Sequence, residues 1–334
     1  MKIIGRSPTT RLRRVRNSQW IRRLVSENSL TADDLILPIF IREGKNIIQK
    51  IKTMPGVNRY SIDKLDSIMH LAVKHKIPMV ALFPYTPINK RTFAGLESIN
   101  EDNLVCRALR KIKKKFNNIG VMCDVALDPY TTHGHDGLII KNQIDNDKTI
   151  EILAKQSVLQ AQMGCDVIAP SDMMDGRIGH IRKELDKNDL KNTKILSYAV
   201  KYASSFYGPF RDAVGSKKLL KGDKKTYQMD FRNTNEALRE VILDIKEGAD
   251  FVMVKPGLPY LDIIRNIKDT FKIPVFSYQV SGEYSLIKKG IECKLISKDS
   301  ILESLISLKR AGSSAIVTYF ALQVASDIKN NYEK

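Results

Sequence analysis

The chain contains the stretch Phe251-Val252-Met253-Val254-Lys255-Pro256-Gly257, in which a short apolar run is followed at once by lysine, proline and glycine. Runs of this kind, rich in Val, Ile and Phe, are typical of strands that are buried on both faces of a parallel sheet. Further runs of similar length lie at 35–40, 79–83, 121–127, 166–169, 195–200, 274–280 and 315–319. The pattern therefore predicts eight buried strands.

Helix-like segments lie between most of these strands. The segment 61–76 begins with the capping candidate Ser61 and then places its apolar residues at helical spacing. The same pattern occurs at 149–163, 233–247 and 300–311. Eight strands that alternate with helices favour an α/β fold, the (β/α)8 TIM barrel, whose core takes about 250 residues. A doubly wound sheet is the competing fold, but no GxGxxG turn follows the first strand.

Length and composition exclude several classes of protein. The 334 residues are 43 % hydrophobic, which is enough for a packed core, and no apolar run approaches the about 18–20 residues of a membrane helix. We therefore expect no membrane partner. Four cysteines are too few for a disulfide scaffold in a chain of this length, and none of them forms a CxxC pair, which argues against a thiolate zinc site. The net charge of +18 comes mainly from scattered lysines without a nucleic-acid-binding motif, so we expect no nucleic-acid partner.

Two segments extend the predicted barrel. Residues 1–30 carry many arginines before the first acidic residue, Glu27. Such a segment fits either a transit peptide or an exposed arm that contacts another subunit, and no apolar signal segment follows Met1. The barrel is expected at 31–334, with an insert at about 203–229 that is rich in Lys, Arg, Phe and Gly. This composition predicts a lid that captures an anion, and a mobile surface loop is the alternative.

Two predicted strands end in a lysine, Lys201 and Lys255. The C-terminal ends of the strands form the active site of a (β/α)8 barrel. Burial and a neighbouring ammonium group both lower the pKa of a lysine, which is about 10.4 in water. A neutral amine attacks ketones to form a Schiff base. The alternative is that each lysine extends into solvent. We favour the buried arrangement because two lysines are directed at one barrel mouth.

Polar residues follow other predicted strands. Asp124 and Asp128 share one face of the third strand, and Asp136 lies on the loop that follows. These carboxylates could hold a hard cation or a charged amine. His133 and His135 are candidate acid–base groups or ligands, and a hydrogen-bonded polar loop is the alternative. Ser171 follows the fourth strand, and the hydroxyls of Ser281 and Tyr319, after the seventh and eighth, could hold a carboxylate.

Taken together, these segments resemble the porphobilinogen synthase (5-aminolevulinate dehydratase) family. The matching stretches are Met253-Val254-Lys255-Pro256-Gly257, the stretch 278–284 (YQVSGEY), the stretch 204–211 (SSFYGPFR), the stretch 169–177 (APSDMMDGR) and the loop at 133–137. They occur in the family's order and span essentially the whole chain. The stretch 11–16 resembles the start of the family's N-terminal arm, which favours an arm over a transit peptide.

The resemblance implies the condensation of two 5-aminolevulinate molecules to porphobilinogen, with loss of two waters, in heme biosynthesis. Lys255 matches the Schiff-base lysine and Lys201 the second active-site lysine. Ser281 and Tyr319 match the binders of one substrate carboxylate, and Arg211, Lys224 and Gln228 match the binders of the other. Asp124, Ser171 and Asp128 are the remaining substrate-binding candidates.

The resemblance also bears on metals and assembly. Zinc-dependent members carry cysteines at the positions of Ala126, Asp128 and Asp136, and oxygen donors disfavour zinc. We therefore expect the aspartate-bearing, zinc-independent branch, in which Asp128 and Asp136 bind a monovalent cation such as K+, magnesium, or only the substrate amine. Glu240 matches an allosteric magnesium ligand. A cytoplasmic homo-octamer is implied, and the alternatives are a class I aldolase-like Schiff-base barrel or a non-enzymatic basic binding protein.

Overall fold

The computed structural model describes residues 5–216, 219–220 and 222–332. Lys217, Lys218 and Lys221 of the predicted lid therefore lie outside the described residues. The described part of the chain forms twelve strands: β1 (Leu35–Arg42), β2 (Ile48–Lys50), β3 (Asn58–Ser61), β4 (Met79–Tyr85), β5 (Gly120–Val125), β6 (Leu138–Ile140), β7 (Gln143–Asp145), β8 (Val167–Pro170), β9 (Lys194–Lys201), β10 (Phe251–Lys255), β11 (Val275–Gln279) and β12 (Ala315–Thr318).

Eleven α-helices occur in the same described residues. They are α1 (Gln19–Leu24), α2 (Leu65–Lys74), α3 (Leu104–Lys115), α4 (Asn146–Gln162), α5 (Arg177–Lys187), α6 (Gly208–Ala213), α7 (Asn235–Glu247), α8 (Leu261–Phe271), α9 (Ser281–Glu292), α10 (Asp299–Ala311) and α11 (Ala321–Tyr332). None of these helices is long and apolar enough to cross a membrane.

Eight parallel strands close into a barrel. The order is β1-β4-β5-β8-β9-β10-β11-β12, and β12 pairs with β1 to close the ring through Leu35 opposite Ile316. Each barrel strand corresponds to one of the eight apolar runs, with its ends shifted by no more than two residues. The predicted (β/α)8 barrel is confirmed. The third predicted strand ends earlier than expected, at Val125. The chain turns after it, because the amides of Tyr130 and Thr131 both donate hydrogen bonds to the carbonyl oxygen of Leu127.

The apolar face of each outer helix packs on the strands. In α10, for example, Ile301, Leu305 and Leu308 are buried at helical spacing, whereas Leu302 is 45 % exposed. This one-sided burial is the pattern that the sequence predicted for 300–311, and it holds the helix against the barrel.

Four short strands were not predicted from the sequence. β2 pairs antiparallel with β3. β3 in turn pairs with the C-terminal part of β1, past the residues of β1 that pair with β12. β6 and β7 form a separate hairpin, and Lys141 and Asn142 at its turn both have a positive φ. Strands of three or four residues that are half exposed give no recognisable alternation, and the hairpin turn lacks the glycine that usually marks it.

The N-terminal segment contacts little of its own chain. A 3-10 turn at Leu12–Arg16 and the short helix α1 contain no buried residue, and Leu12 and Trp20 are 72 % and 67 % exposed. The division into an arm at 1–30 and a barrel at 31–334 remains a prediction, and the exposed apolar side chains agree with it.

We predict that Leu305→Ala lowers the free energy of unfolding by about 2–5 kcal/mol, because a fully buried leucine of α10 leaves a cavity against the barrel. The matched control is Leu302→Ala, three residues earlier on the exposed side of the same helix. It should change stability by less than about 0.5 kcal/mol in urea unfolding. Equal losses in the two variants would contradict the observed packing of α10.

Candidate active site

Lys201 and Lys255 are paired residues on neighbouring strands. β9 and β10 run parallel, and their register places Lys201 directly opposite Lys255 at the C-terminal ends of both strands. Neighbouring strands are about 4.8 Å apart, so the two side chains leave the sheet side by side. The lysines are 6 % and 5 % exposed. The sequence-based prediction that both lysines enter one barrel mouth is therefore met by the geometry.

Aromatic rings surround the amine of Lys255. Its Nζ lies 4.6 Å from the ring centroid of Tyr278, 5.0 Å from that of Tyr198 and 5.1 Å from that of Phe210. Among the described residues it forms no ion pair with a carboxylate. Burial lowers the pKa of Lys255 to about 7, and the positive charge of Lys201 acts in the same direction. A large fraction of this amine is therefore neutral near pH 7.

Lys201 has polar partners instead. Its Nζ lies 3.6 Å from Oδ2 of Asp136 and donates a hydrogen bond to the carbonyl oxygen of Ser171. The sequence argument treated the two lysines alike, and this is where the structure differs from it. The ionic partner belongs to the loop after β5, and no pattern in the sequence links that loop to β9.

Asp128, Asp136 and Lys224 form a buried ionic cluster beside Lys201. Lys224 Nζ lies 2.8 Å from Asp136 Oδ1 and 3.3 Å from Asp128 Oδ2. Burial raises the pKa of Asp128 to about 6, and the negative charge of Asp136 adds to this. Burial acts on Asp136 too, but the ammonium groups of Lys201 and Lys224 outweigh it and lower the pKa of Asp136. One carboxylate can thus hold a proton near neutral pH while its neighbour stays anionic, the pattern of an acid–base pair.

One small cavity unites most of the predicted site residues. Its volume is about 30 Å³, room for one or two water molecules. Eight of the predicted residues line it: Asp124, Asp128, Ser171, Lys201, Arg211, Lys224, Gln228 and Lys255. Arg211, Lys224 and Gln228 all come from the segment 203–229 between β9 and α7, so this segment closes the barrel mouth over the lysines.

Ser281 and Tyr319 lie one layer further from the cavity. Ser281 Oγ accepts a hydrogen bond of 2.9 Å from the amide of Phe210. The Tyr319 hydroxyl lies 2.9 Å from that of Tyr278, whose ring faces Lys255. Both predicted carboxylate binders therefore lie on the Lys255 side of the site, and their roles remain predictions.

Glu240 is not part of this cluster. It lies on α7 and lines a cavity of about 840 Å³ with Asp175 and Glu236, and Gln228 lines both this cavity and the one at the lysines. Burial raises the pKa of Glu240 to about 7; Arg177 opposes this rise, and the neighbouring acidic residues Asp244, Asp175 and Glu236 add to it. Glu240 does not line the cavity at the lysines, and its role as an allosteric magnesium ligand remains a prediction.

Some residues at the site were not singled out from the sequence. Tyr198 and Tyr207 contribute rings to the surroundings of Lys255, and the Tyr207 hydroxyl donates to the carbonyl of Lys255 at 3.2 Å. The Tyr227 hydroxyl lies 3.1 Å from Nδ1 of His135. The sequence signal for Tyr198 is its place three positions before the lysine that ends the strand. Tyr207 and Tyr227 belong to the insert, and their places at the site can be recognised only in the folded structure.

Three comparisons with known proteins agree. A sequence profile of the delta-aminolevulinic acid dehydratase family matches residues 9–327. The delta-aminolevulinic acid dehydratase of Bradyrhizobium diazoefficiens is 55 % identical over 320 residues, which cover 96 % of this chain and 91 % of the relative. That of Methanothermus sociabilis is 47 % identical, with 96 % and 99 % covered. The crystal structure of the Toxoplasma gondii enzyme in complex with the reaction product porphobilinogen is 44 % identical, with a TM-score of 0.93 over 95 % of this chain and 91 % of that one.

A closed (β/α)8 barrel with two buried lysines at neighbouring strand ends defines an enzyme of the barrel class, in which the active site lies at the C-terminal ends of the strands. Within that class, the chain belongs to the delta-aminolevulinic acid dehydratase family. The predicted family, lyase class and place in porphyrin biosynthesis are thereby confirmed.

We predict that Lys201→Met raises the pKa of Lys255, because it removes the neighbouring positive charge while burial remains. The measurement is the pH dependence of Lys255 acetylation by acetic anhydride, followed by peptide mass spectrometry. The midpoint should lie near pH 7 in the unmodified protein and move upward in the variant. Lys194→Met, at the exposed start of the same strand, is the control and should leave the midpoint unchanged. A midpoint that falls in Lys201→Met would contradict this electrostatic coupling.

Proposed function

We propose that the chain condenses two molecules of 5-aminolevulinate into porphobilinogen with the loss of two waters, as a step of heme biosynthesis. The observation that carries the proposal is the register of Lys201 with Lys255 inside one buried pocket. Family membership and the product-bound Toxoplasma gondii relative support it.

The first substrate would react at Lys255. The lone pair of the neutral amine attacks the ketone carbon, and a C=N bond replaces C=O as the oxygen leaves with two protons as water. Asp128, whose pKa lies at about 6, is positioned to exchange protons with groups in the cavity. Ser281 and Tyr319, on the same side of the site, would hold the carboxylate of this substrate.

The second substrate would bind on the Lys201 side. Arg211 and Lys224, with Gln228 beside them, supply the positive charge for its carboxylate, and Asp124, Ser171 and Asp128 line the rest of the cavity. Lys224 is paired with Asp128 and Asp136 in this structure. The ammonium group of 5-aminolevulinate carries the same charge and could take that place. Holding both substrates in one pocket removes the orientational cost of their meeting, worth up to about 7–11 kcal/mol.

Entry of the substrates requires movement of the insert. A cavity of about 30 Å³ does not hold one keto acid, still less two. Arg211, Lys224 and Gln228 of the segment 203–229 form part of its lining, so opening this segment would both enlarge the cavity and retract the anion-binding side chains. This supports the proposal that the segment is a lid.

We further propose that the chain needs no active-site zinc and binds an allosteric magnesium ion through Glu240. Asp128 and Asp136 offer only oxygen atoms, and an ammonium group already contacts both of them, so these residues suit an amine better than zinc. Glu240 lies with Asp175 and Glu236 around the same cavity and would bind a magnesium ion that keeps several of its waters. Among the described residues no three His, Cys, Asp or Glu side chains are placed to hold a metal together, so water would have to complete the coordination. Magnesium there would neutralise charge, and a monovalent cation such as K+ at Asp128 and Asp136 remains the alternative.

A cytoplasmic homo-octamer is the assembly we propose. The exposed Leu12, Trp20 and Leu24 of the N-terminal segment present apolar surface that their own chain does not cover, which a neighbouring subunit would bury. The four free cysteines suit a reducing compartment.

Borohydride reduction in the presence of 5-aminolevulinate should trap one adduct, and peptide mass spectrometry should locate it at Lys255. Lys201→Met should lower pyrrole formation from 5-aminolevulinate by at least about 100-fold, because the second amine acts on the second substrate. An adduct at another lysine would remove the central assignment. A fully active Lys201→Met variant would instead favour an aldolase-like Schiff-base barrel, which needs one lysine.

The metal proposal predicts that a zinc-selective chelator leaves pyrrole formation intact and that added magnesium stimulates it. Glu240→Ala should abolish the stimulation by magnesium and keep the basal rate. Glu303→Ala, which removes an exposed carboxylate on α10, is the control and should respond to magnesium like the unmodified chain. Recovery of a metal-depleted sample with zinc alone would contradict the assignment to the zinc-independent branch.

A further inference from the structure

Glu283 is a buried carboxylate that the proposed reaction does not use. It lies in the first turn of α9 and is 4 % exposed. Among the described residues no ammonium or guanidinium group forms an ion pair with it; backbone amides are its partners. The amide of Leu258 donates to Oε1 at 2.6 Å and the amide of Val280 donates to Oε2 at 2.5 Å. The amide of Gly257 lies near the same carboxylate and lowers its pKa.

These amides belong to two different segments of the barrel mouth. Gly257 and Leu258 follow Lys255 at the end of β10, and Val280 immediately precedes Ser281 at the end of β11. One carboxylate therefore ties the segment that carries the reactive amine to the segment that carries a predicted carboxylate binder. Burial raises the pKa of Glu283 to about 7, and the backbone amides oppose this rise. Above that pH the side chain is a carboxylate, whose two oxygens only accept hydrogen bonds and can serve both segments.

The surroundings leave these two segments little freedom. A Cβ atom added at Gly257 would lie 2.8 Å from Leu308 Cδ2 and 3.2 Å from the carbonyl oxygen of Tyr278. A Cβ atom at Gly282 would collide with the backbone of Phe206. On the other side, the carbonyl of Lys255 accepts hydrogen bonds from the Tyr202 amide at 3.0 Å and from the Tyr207 hydroxyl at 3.2 Å. The backbone around Lys255 and Ser281 is thus packed against neighbours. Glu283 adds a side-chain connection between the two segments beyond the last paired residues of β10 and β11, Val254 and Ser277.

We propose that Glu283 is a positioning residue that fixes the spacing between the Lys255 amine and the Ser281 hydroxyl, and thereby the length of the keto acid that reacts. The inference rests on the proposed function. In a 4-oxo acid two methylene groups separate the carboxylate from the ketone. If the hydroxyl that binds the carboxylate and the attacking amine are held at a fixed distance, keto acids of matching length react in preference to shorter or longer ones. In the others the ketone carbon is misplaced and loses the orientation on which attack depends.

The test uses the unmodified chain, Glu283→Gln and Glu292→Gln. Glutamine keeps the size of the side chain but turns an NH2 donor towards an amide donor, so one of the two segments loses its acceptor. Glu292, exposed at the end of the same helix, provides the matched control. The probes are 4-oxopentanoate and the longer 5-oxohexanoate, each trapped on Lys255 by borohydride, which delivers hydride to the C=N carbon. Circular dichroism and thermal unfolding verify that each variant is folded.

The unmodified chain and Glu292→Gln should trap 4-oxopentanoate much faster than 5-oxohexanoate. Glu283→Gln should trap 4-oxopentanoate at least 10-fold more slowly, with a smaller loss for 5-oxohexanoate, so that the preference narrows. A folded Glu283→Gln with the unmodified preference overturns the inference, because a merely structural loss would slow both probes equally. Failure of the unmodified chain to trap 4-oxopentanoate at all would refute the proposed function instead.

Should Glu283→Gln fail to fold, Glu283→Asp provides the second measurement. It keeps the charge but is one methylene shorter and cannot reach both segments. The preference for 4-oxopentanoate should narrow in this variant as well, and an unchanged preference overturns the inference.

Discussion

Everything at this site depends on the removal of one amine from water. The pKa of Lys255 falls from 10.5 to about 7, so the site destabilises the ammonium form by roughly 5 kcal/mol relative to water. The surrounding rings oppose this, since a cation is attracted to aromatic faces, but that attraction is only about 0.5–2 kcal/mol. Desolvation therefore prevails, and the barrel supplies it by ending β10 inside a closed mouth. A lysine at the rim would keep its proton and would not attack a ketone at neutral pH.

The contacts of Lys201 and of the carboxylates follow from the neutral state of Lys255. A neutral Lys255 needs no ion-pair partner, and the described residues give it none. Asp128 and Asp136 pair with Lys201 and Lys224 instead, whereas Asp124 acts on Lys255 only at longer range. Lys201 and Lys224 share Asp136, while Asp128 repels Asp136 and keeps a raised pKa. A single pocket thus contains a partly neutral amine, charged groups of both signs and a carboxylate with a raised pKa. Differences in burial and contact, rather than different residue types, produce this arrangement.

Much of this could be predicted from single stretches of sequence. Buried parallel strands are nearly continuous apolar runs, so all eight barrel strands were found, and a lysine at the end of such a run marks a polar group at the active end. Partners distant in sequence could not be predicted in the same way. Asp136 reaches Lys201 across more than sixty residues of chain, and the pairing of β9 with β10 shifts register between Val252 and Val254, so strand alternation alone does not tell which side chains face the mouth. The short strands β2, β3, β6 and β7 carry too few residues for a periodic signal.

The same distinction explains why the sequence alone assigns no role to Glu283. In sequence it is an acidic residue in the first turn of a helix, where a carboxylate is favoured by the helix dipole and by free amides. That local reading accounts for its contact with Val280. It does not account for Leu258, which is 25 residues earlier in the chain and belongs to the segment that follows the reactive lysine. A residue whose position is explained by local helix capping can therefore also form a long-range contact. The capping role and the long-range role can be distinguished only when the structure shows the partner on the other strand. In this barrel that partner is the backbone next to the nucleophile, so a common capping interaction also governs where the reacting amine lies.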